Sequence, residues 1–298
     1  MIKVAISKVD RFLRLQSIPA LGHLFVFYLP AIVEVEDEAV QETLFRALRY
    51  GDSTGKATEA GRFRDLDQDT VDLMVEPFSL HDVGVSSGVT SLDLLKRLKG
   101  AEKEGVLTIS DKFAEMAVSR GRVITRVYDG WSKLRCLYIF GIQCDPGLSW
   151  WFPISKLVFY PFAVLQDSAP KTRLLLLAGA VLKALHGHDV EYVRYDVFET
   201  RLDEKFTFVR CMNLLNLSYF SEDRILMGLR NMRNSLRQGG VLLVGRTIGE
   251  AKNAASFFRR QGELLISIRE SHGGFEARHV VERLNDEERL RAGVSARG

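Results

Sequence analysis

Cysteine is scarce in this chain. Only Cys136, Cys144 and Cys211 occur in 298 residues, an odd number with no C-x-x-C spacing. That excludes a disulfide framework and a zinc cluster, and it points to a reducing, cytoplasmic setting. A charge surplus is nearly lacking too: 41 basic against 38 acidic side chains leave +3. So small an excess gives no electrostatic grip on a polyanion, and no nucleic-acid partner is expected. Long apolar runs are missing. The most membrane-like stretch, residues 18–33, is broken by Pro19, His23 and Pro30 and is followed by Glu34, Glu36 and Asp37. A bilayer span takes about 20 apolar residues, so this stretch reads as a buried or interfacial N-terminal helix pair, not as a stable membrane span or a leader peptide. Metal ligands are not clustered either. His186 and His188 flank Gly187 with no third ligand nearby, so no metal site is expected.

What is present is the making of a large folded core: 46% hydrophobic and 27% charged residues. Residues 1–76 read as a helical N-terminal extension, since the apolar positions of Glu42 to Tyr50 recur at helical spacing and Gly51, Asp52, Ser53 and Gly55 then break it. From residue 77 to 298 the pattern changes to short apolar runs separated by helical stretches, the mark of β-α-β units and a mostly parallel sheet. Strands are expected at 79–83, 106–110, 192–195, 207–211, 241–245 and 264–269. An insertion at about 123–166 interrupts the series. Within it, Val123 to Tyr128 and Leu134 to Gln143 flank Asp129-Gly130, a strong hairpin signal. Trp150, Trp151, Phe152, Phe159, Tyr160 and Phe162 follow. Such rings either cover the sheet or form a wall for an apolar acceptor or a homodimer surface.

The chemistry concentrates in four places. Residues 78–95 read as strand, small-residue turn and amphipathic helix. Gly84 permits the tight bend, Ser86 and Gly88 keep side chains small where backbone meets a ligand, and Asp82 at the strand end is placed to reach a ligand ammonium or a bridging water. Asp111 ends the next strand. An acid about 20 residues past such a turn hydrogen-bonds ribose hydroxyls in nucleotide-binding forms of this fold. Asp196 ends the third strand, suitably placed to accept from an adenine amino group, with turn formation as the alternative. Residues 206–220 form a buried strand that runs into a polar loop, where open α/β sheets bind ligands.

In this order the D-x-G-x-S-x-G motif of Asp82 to Gly88, the acids after the second and third strands, and the helix–Gly239-Gly240–strand element resemble a class I S-adenosylmethionine-dependent methyltransferase over residues 78–270. Ser86 stands where a second glycine is usual. Val209-Arg210-Cys211-Met212-Asn213-Leu214-Leu215 with Tyr219-Phe220 is similar to the C-R-N-x-L-x-Y-F region of chemotaxis receptor (protein-glutamate) methyltransferases, as is the helical N-terminal region. The resemblance implies an α/β, Rossmann-like sheet of the seven-stranded type and S-adenosyl-L-methionine as cofactor. Asp82, Gly84, Ser86 and Gly88 would border its methionine part, Asp111 the ribose, Asp196 and Val197 the adenine, and Asn213 the cofactor and the transfer site. The expected activity is methyl transfer to a carboxylate or hydroxyl of a small, apolar acceptor, with Arg210 and Tyr219 holding the acceptor alongside Asn213. Arg246 and Thr247 either line the acceptor pocket or pack at the surface, and His81 is expected as a hydrogen-bonded strand histidine. The alternative is a catalytically silent, methyltransferase-like scaffold. A nicotinamide-dependent oxidoreductase fits less well, because its glycines are spaced G-x-G-x-x-G.

Overall fold

The computed structural model describes residues 32–33, 35, 37–47, 49–50, 54–55, 59–121, 124–129, 133–139, 142–144, 157, 161, 169–249 and 252–295. In chain order the elements begin with α1 (Glu38–Ala47), β1 (Arg49–Tyr50), β2 (Thr54–Gly55), α2 (Arg64–Leu73), β3 (Phe78–Val83), α3 (Val89–Gly100) and β4 (Gly105–Ser110). They continue with β5 (Glu115–Arg120), β6 (Ile124–Asp129), β7 (Lys133–Ile139), β8 (Ile142–Cys144), β9 (Lys171–Leu175) and α4 (Gly179–Ala184). The last are β10 (Val190–Val193), β11 (Phe206–Met212), α5 (Glu222–Ser235), β12 (Leu236–Ile248), β13 (Lys252–Gln261), β14 (Leu264–Ser271) and α6 (Arg278–Ser295). These elements fall into two compact units: Met1–Glu59 with Ser86–Val89 and Phe113–Lys183, and Ala60–Val85 with Thr90–Lys112 and Ala184–Gly298. That division differs from the boundary expected at residue 76.

The second unit carries a seven-stranded sheet in the order β10-β4-β3-β11-β12-β13-β14. The first five are parallel and the last two join antiparallel, so the sheet is mostly parallel and Rossmann-like. Among the parallel strands the sequence order is third, second, first, fourth, fifth, which puts a topological switch point between β3 and β11. Helix α5 shows why its segment lies on this sheet. Ile225, Leu226, Leu229 and Met232 recur on one helical face and are buried, while Glu222 and Asp223 occupy the first turn, where acids complement the helix dipole. That face joins a core of Val83, Phe206, Val209, Leu242 and Phe258.

Six of the seven strands match expected ones. The seventh, β13, does not: Asn253-Ala254-Ala255-Ser256 lacks the β-branched residues that advertise a strand. Close packing explains the composition. A Cβ on Gly245 of β12 would lie 2.3 Å from the Ala254 carbonyl oxygen and 2.5 Å from the Ala255 Cβ.

In the first unit, β6 and β7 pair antiparallel as the expected hairpin, within a five-stranded sheet ordered β8-β7-β6-β5-β9. The insertion is therefore larger than expected, because β5 and β9 bracket it. Val40, Leu44 and Phe45 of α1 pack on Met116, Val118, Val127, Cys136, Tyr138 and Leu174 of this sheet. Gln41 ties α1 in, donating from its amide nitrogen to the Ile32 carbonyl at 3.0 Å and accepting from Gly179 N–H at 2.8 Å. The N-terminal region is not wholly helical, since β1 and β2 form a two-stranded ribbon. The aromatic run at Trp150–Phe162 and most of the apolar stretch 18–33 lie outside the described residues. Among the described residues no helix is long and apolar enough to cross a membrane.

Gly245→Ala tests the β12–β13 packing. Overpacking of this kind costs about 1–3 kcal/mol, so the urea midpoint should fall, whereas Gly100→Ala, whose Cβ meets nothing within 4 Å and whose backbone is not left-handed, should not lower it. An unchanged midpoint for Gly245→Ala would refute the close approach.

Candidate functional site

At the carboxyl end of β3 the chain turns at Gly84, whose φ is +74°. Gly84 and Val85 both donate backbone N–H to the Ser110 carbonyl, at 2.8 and 3.1 Å, so the turn is pinned to the last residue of β4. Asp111 follows at once. The spacing read from the sequence thus becomes a contact: Gly84 and Asp111 adjoin one shared carbonyl. Tyr192 of β10 donates its hydroxyl to the Asp111 carbonyl at 3.1 Å, which fixes the acid's backbone from the other side. Ser86 (φ +59°) and Gly88 (φ +81°) complete the loop in chain order and belong to the other unit. There a Cβ on Gly88 would meet Val181 at 3.0 Å, and the Ser87 carbonyl accepts from Ala178 N–H at 2.9 Å.

Asp196 stands beside Asp111 through a basic neighbour. Lys112 Nζ lies 2.6 Å from Asp196 Oδ2, and Asp196 Oδ1 accepts from the Phe198 backbone at 2.9 Å. The turn role weighed for this aspartate is therefore present in the structure. Val197 departs from expectation. Its side chain is buried in the core, and its carbonyl accepts from Asn231 Nδ2 at 2.9 Å, so it offers no side-chain wall to a ligand.

Asp82 and Arg210 depart further. They are register partners on β3 and β11, 4% and 1% exposed. Arg210 Nε donates to Asp82 Oδ1 at 3.0 Å and its Nη2 to Oδ2 at 2.5 Å, while Ser91 Oγ donates to Oδ2 at 2.6 Å. Asp67 of α2 adds a second carboxylate 3.5 Å from Arg210 Nη1, and the Phe63 ring centroid lies 5.5 Å from the guanidinium. Asp82 is thus committed to an internal ion pair instead of a ligand, and Arg210 is closed off from an acceptor. A guanidinium this deeply buried is tolerable only with its carboxylates in place. The two acids beside Arg210 hold it in its charged form against the opposing effect of burial.

Asp67 is the acid that sequence reading missed, and nothing in its local spacing marks it. Burial pushes its carboxyl up to about 6, against the opposing pull of Arg210 and Arg97.

The carboxyl end of β11 carries Asn213 in left-handed backbone, φ +59°. Its backbone N–H donates to the Gly245 carbonyl at 2.9 Å, its Oδ1 accepts from Thr247 N–H at 2.7 Å, and its Nδ2 donates to Thr247 Oγ1 at 3.3 Å. Thr247, itself half-buried, thus meets half-buried Asn213 at this rim. Arg246 instead pairs with Glu276 at 2.8 Å. Tyr219 is 75% exposed, in a turn held by the Asn216 carbonyl. His81 is buried, with Nε2 2.8 Å from Ser110 Oγ and its ring stacked on Phe206. Burial lowers its pKa to about 4, so it is a neutral strand histidine, as expected. Among the described residues no cluster of His, Cys, Asp and Glu could hold a metal.

No family model and no curated protein matches the chain. Solved structures that resemble it are S-adenosylmethionine-dependent methyltransferases. N-methyltransferase NodS from Bradyrhizobium japonicum WM9, in complex with S-adenosyl-l-homocysteine, is 11% identical, covering 63% of each chain at a TM-score of 0.32. CalS10, an amino pentose methyltransferase from Micromonospora echinaspora, is 12% identical over 78% of this chain and 83% of its own, at 0.33. The chain spans only 30% of another, the CMeT domain of the citrinin polyketide synthase. At such identities and scores the likeness carries no argument about function, and the fold rests on the strand order itself.

Two measurements test the buried acids. Arg210→Ala leaves Asp82 charged and unpaired, so it should cost about 3–5 kcal/mol in chemical denaturation; a loss under 1 kcal/mol would show that the pair is solvated. For Asp67 the native pKa, about 6, lies above the ordinary 3.8. The native state therefore binds the proton more tightly, and this group's contribution improves as pH falls through 6 toward 3.8 and is lost as pH rises through that window. Asp67→Asn should flatten that slope, and equal slopes for both proteins would exclude the shift.

Proposed function

We propose that the chain is a methyltransferase that uses S-adenosyl-L-methionine at the rim of the β3–β11 switch point. The observation that carries this reading is the pinning of the Gly84 turn to the end of β4, which sets a glycine bend beside Asp111 at the place where doubly wound sheets bind nucleosides. The residues fit the group in part. Asp111 is suited to the ribose hydroxyls and Asn213 lies at the rim of the next strand, while Leu214 covers the Gly84 turn, 3.1 Å from where a Cβ would stand. Asp82 does not fit as a ligand residue, because both of its oxygens are engaged by Arg210 and Ser91.

The bound cofactor supplies an electrophilic methyl group on a sulfonium. The chain's own part is to orient the acceptor in line and to exclude water. With Arg210 internal, the acceptor-holding role passes to Asn213 and to the exposed Tyr219. A small-molecule acceptor suits an enzyme of this class; the carboxylate or hydroxyl nature of the acceptor is part of the proposal.

A catalytically silent scaffold is the second reading, favoured by the conversion of the first-motif acid from ligand to structural ion pair. Calorimetry with S-adenosylmethionine and S-adenosylhomocysteine separates the two readings, since a silent scaffold binds neither. Asp111→Ala should weaken S-adenosylhomocysteine by about 1–3 kcal/mol through lost charge-assisted hydrogen bonds. Unchanged affinity in a folded variant removes the ribose assignment.

A further inference from the structure

The polar groups around Asn213 form a chain whose donors and acceptors follow from chemistry alone. Asn253 of β13 is fully buried. Its Nδ2 lies 2.9 Å from the Arg62 carbonyl and 2.6 Å from Asp65 Oδ1, two groups that only accept, so the amide must face them with its NH2. Its Oδ1 then faces Thr247 Oγ1 at 2.8 Å and takes that hydroxyl's only hydrogen. Thr247 Oγ1 is left with lone pairs, and it accepts from Arg62 Nε at 3.1 Å and from Asn213 Nδ2 at 3.3 Å. The Thr247 backbone N–H fixes the other half of the same amide by donating to Asn213 Oδ1 at 2.7 Å.

Both contacts lie on one edge of the Asn213 amide, the edge where one N–H is cis to the carbonyl oxygen. The second N–H points away from Thr247. Asn213 cannot flip without breaking two bonds, so the group it turns from Thr247 is always a donor.

We propose that Thr247 and Asn253 are positioning residues that lock Asn213 as a hydrogen-bond donor at the end of β11. The ligand group it meets is then an oxygen that accepts, such as a carboxylate or carbonyl, and not an amine. An amine whose lone pair faces a methyl carbon presents only N–H toward its surroundings, and two donors repel. A carboxylate presents lone pairs on the oxygen that does not attack. This rests on the methyltransferase reading. In that reaction the attacking oxygen forms a bond to the methyl carbon as the carbon–sulfur bond breaks, the electron pair goes to sulfur, and methyl ester and thioether form without proton transfer.

The test follows the Asn213 side-chain amide by 15N NMR in the full-length protein, assigned by its loss in Asn213→Asp. Hexanoate and hexylammonium serve as probes, with and without S-adenosylhomocysteine. One hydrogen bond is worth about tenfold in affinity, so hexanoate should bind roughly that much better and shift the Asn213 pair, while hexylammonium leaves it in place. Thr247→Val should bring the preference toward unity, and Thr247→Ser, which restores the hydroxyl, should recover it. If Thr247→Val does not fold, Asn213→Asp carries the same test, since an acceptor in place of the donor should reverse the preference. Equal or stronger binding of hexylammonium at Asn213, an Asn213 pair silent to both probes, or a preference unchanged in Thr247→Val overturns the proposal. Failure of S-adenosylhomocysteine to bind would sink the methyltransferase reading alone, because the probe preference is read in its absence too.

Discussion

The middle of the second unit's sheet is organised around a buried cation, Arg210. Arg210 and Asp82 face each other across β11 and β3, the two strands that meet at the switch point, and a bidentate pair joins them. Burying either charge alone is prohibitive; burying both is tolerable only in a fixed geometry with the remaining lone pairs satisfied. Ser91 of α3 meets one carboxylate oxygen, and Asp67 of α2 meets the far side of the guanidinium. A single charge therefore holds two strands and two helices in register. The rim above inherits that register, including the turn at Gly84 and the strained Asn213.

This arrangement changes what the first motif means. In the D-x-G-x-S-x-G pattern the acid was expected to reach a ligand. Here the same strand position is turned into the interior because an arginine stands opposite it. The glycine keeps its expected work, since its left-handed backbone lets two successive N–H groups reach the Ser110 carbonyl.

What was legible in the sequence is what depends on near neighbours. The β-α-β alternation, the β6–β7 hairpin and the distance from the turn to Asp111 are local patterns, and the structure has each of them. What was illegible depends on pairs far apart in the chain. Arg210 lies 128 positions from Asp82, and Asn253 lies 188 from Asp65. No periodicity encodes such meetings. Strands β5 and β9 were illegible for the same reason: each is short, and they pair across more than fifty residues. Strand β13 was hidden by its own packing, because the small residues that let it approach Gly245 are poor strand formers.

Magnitudes decide which rim acids remain available to a ligand. Asp196 and Asp82 are both ion-paired, but the pairs differ in kind. Lys112 is 37% exposed and its partner's side chain 11%, so the lysine end of this pair stays in contact with water and its charge needs no buried partner. Releasing Asp82 would instead strand Arg210 in the interior at about 3–5 kcal/mol, more than one ligand hydrogen bond returns. The acid of the first motif is thus fixed for structure, and the Asp196 pair is the weaker of the two.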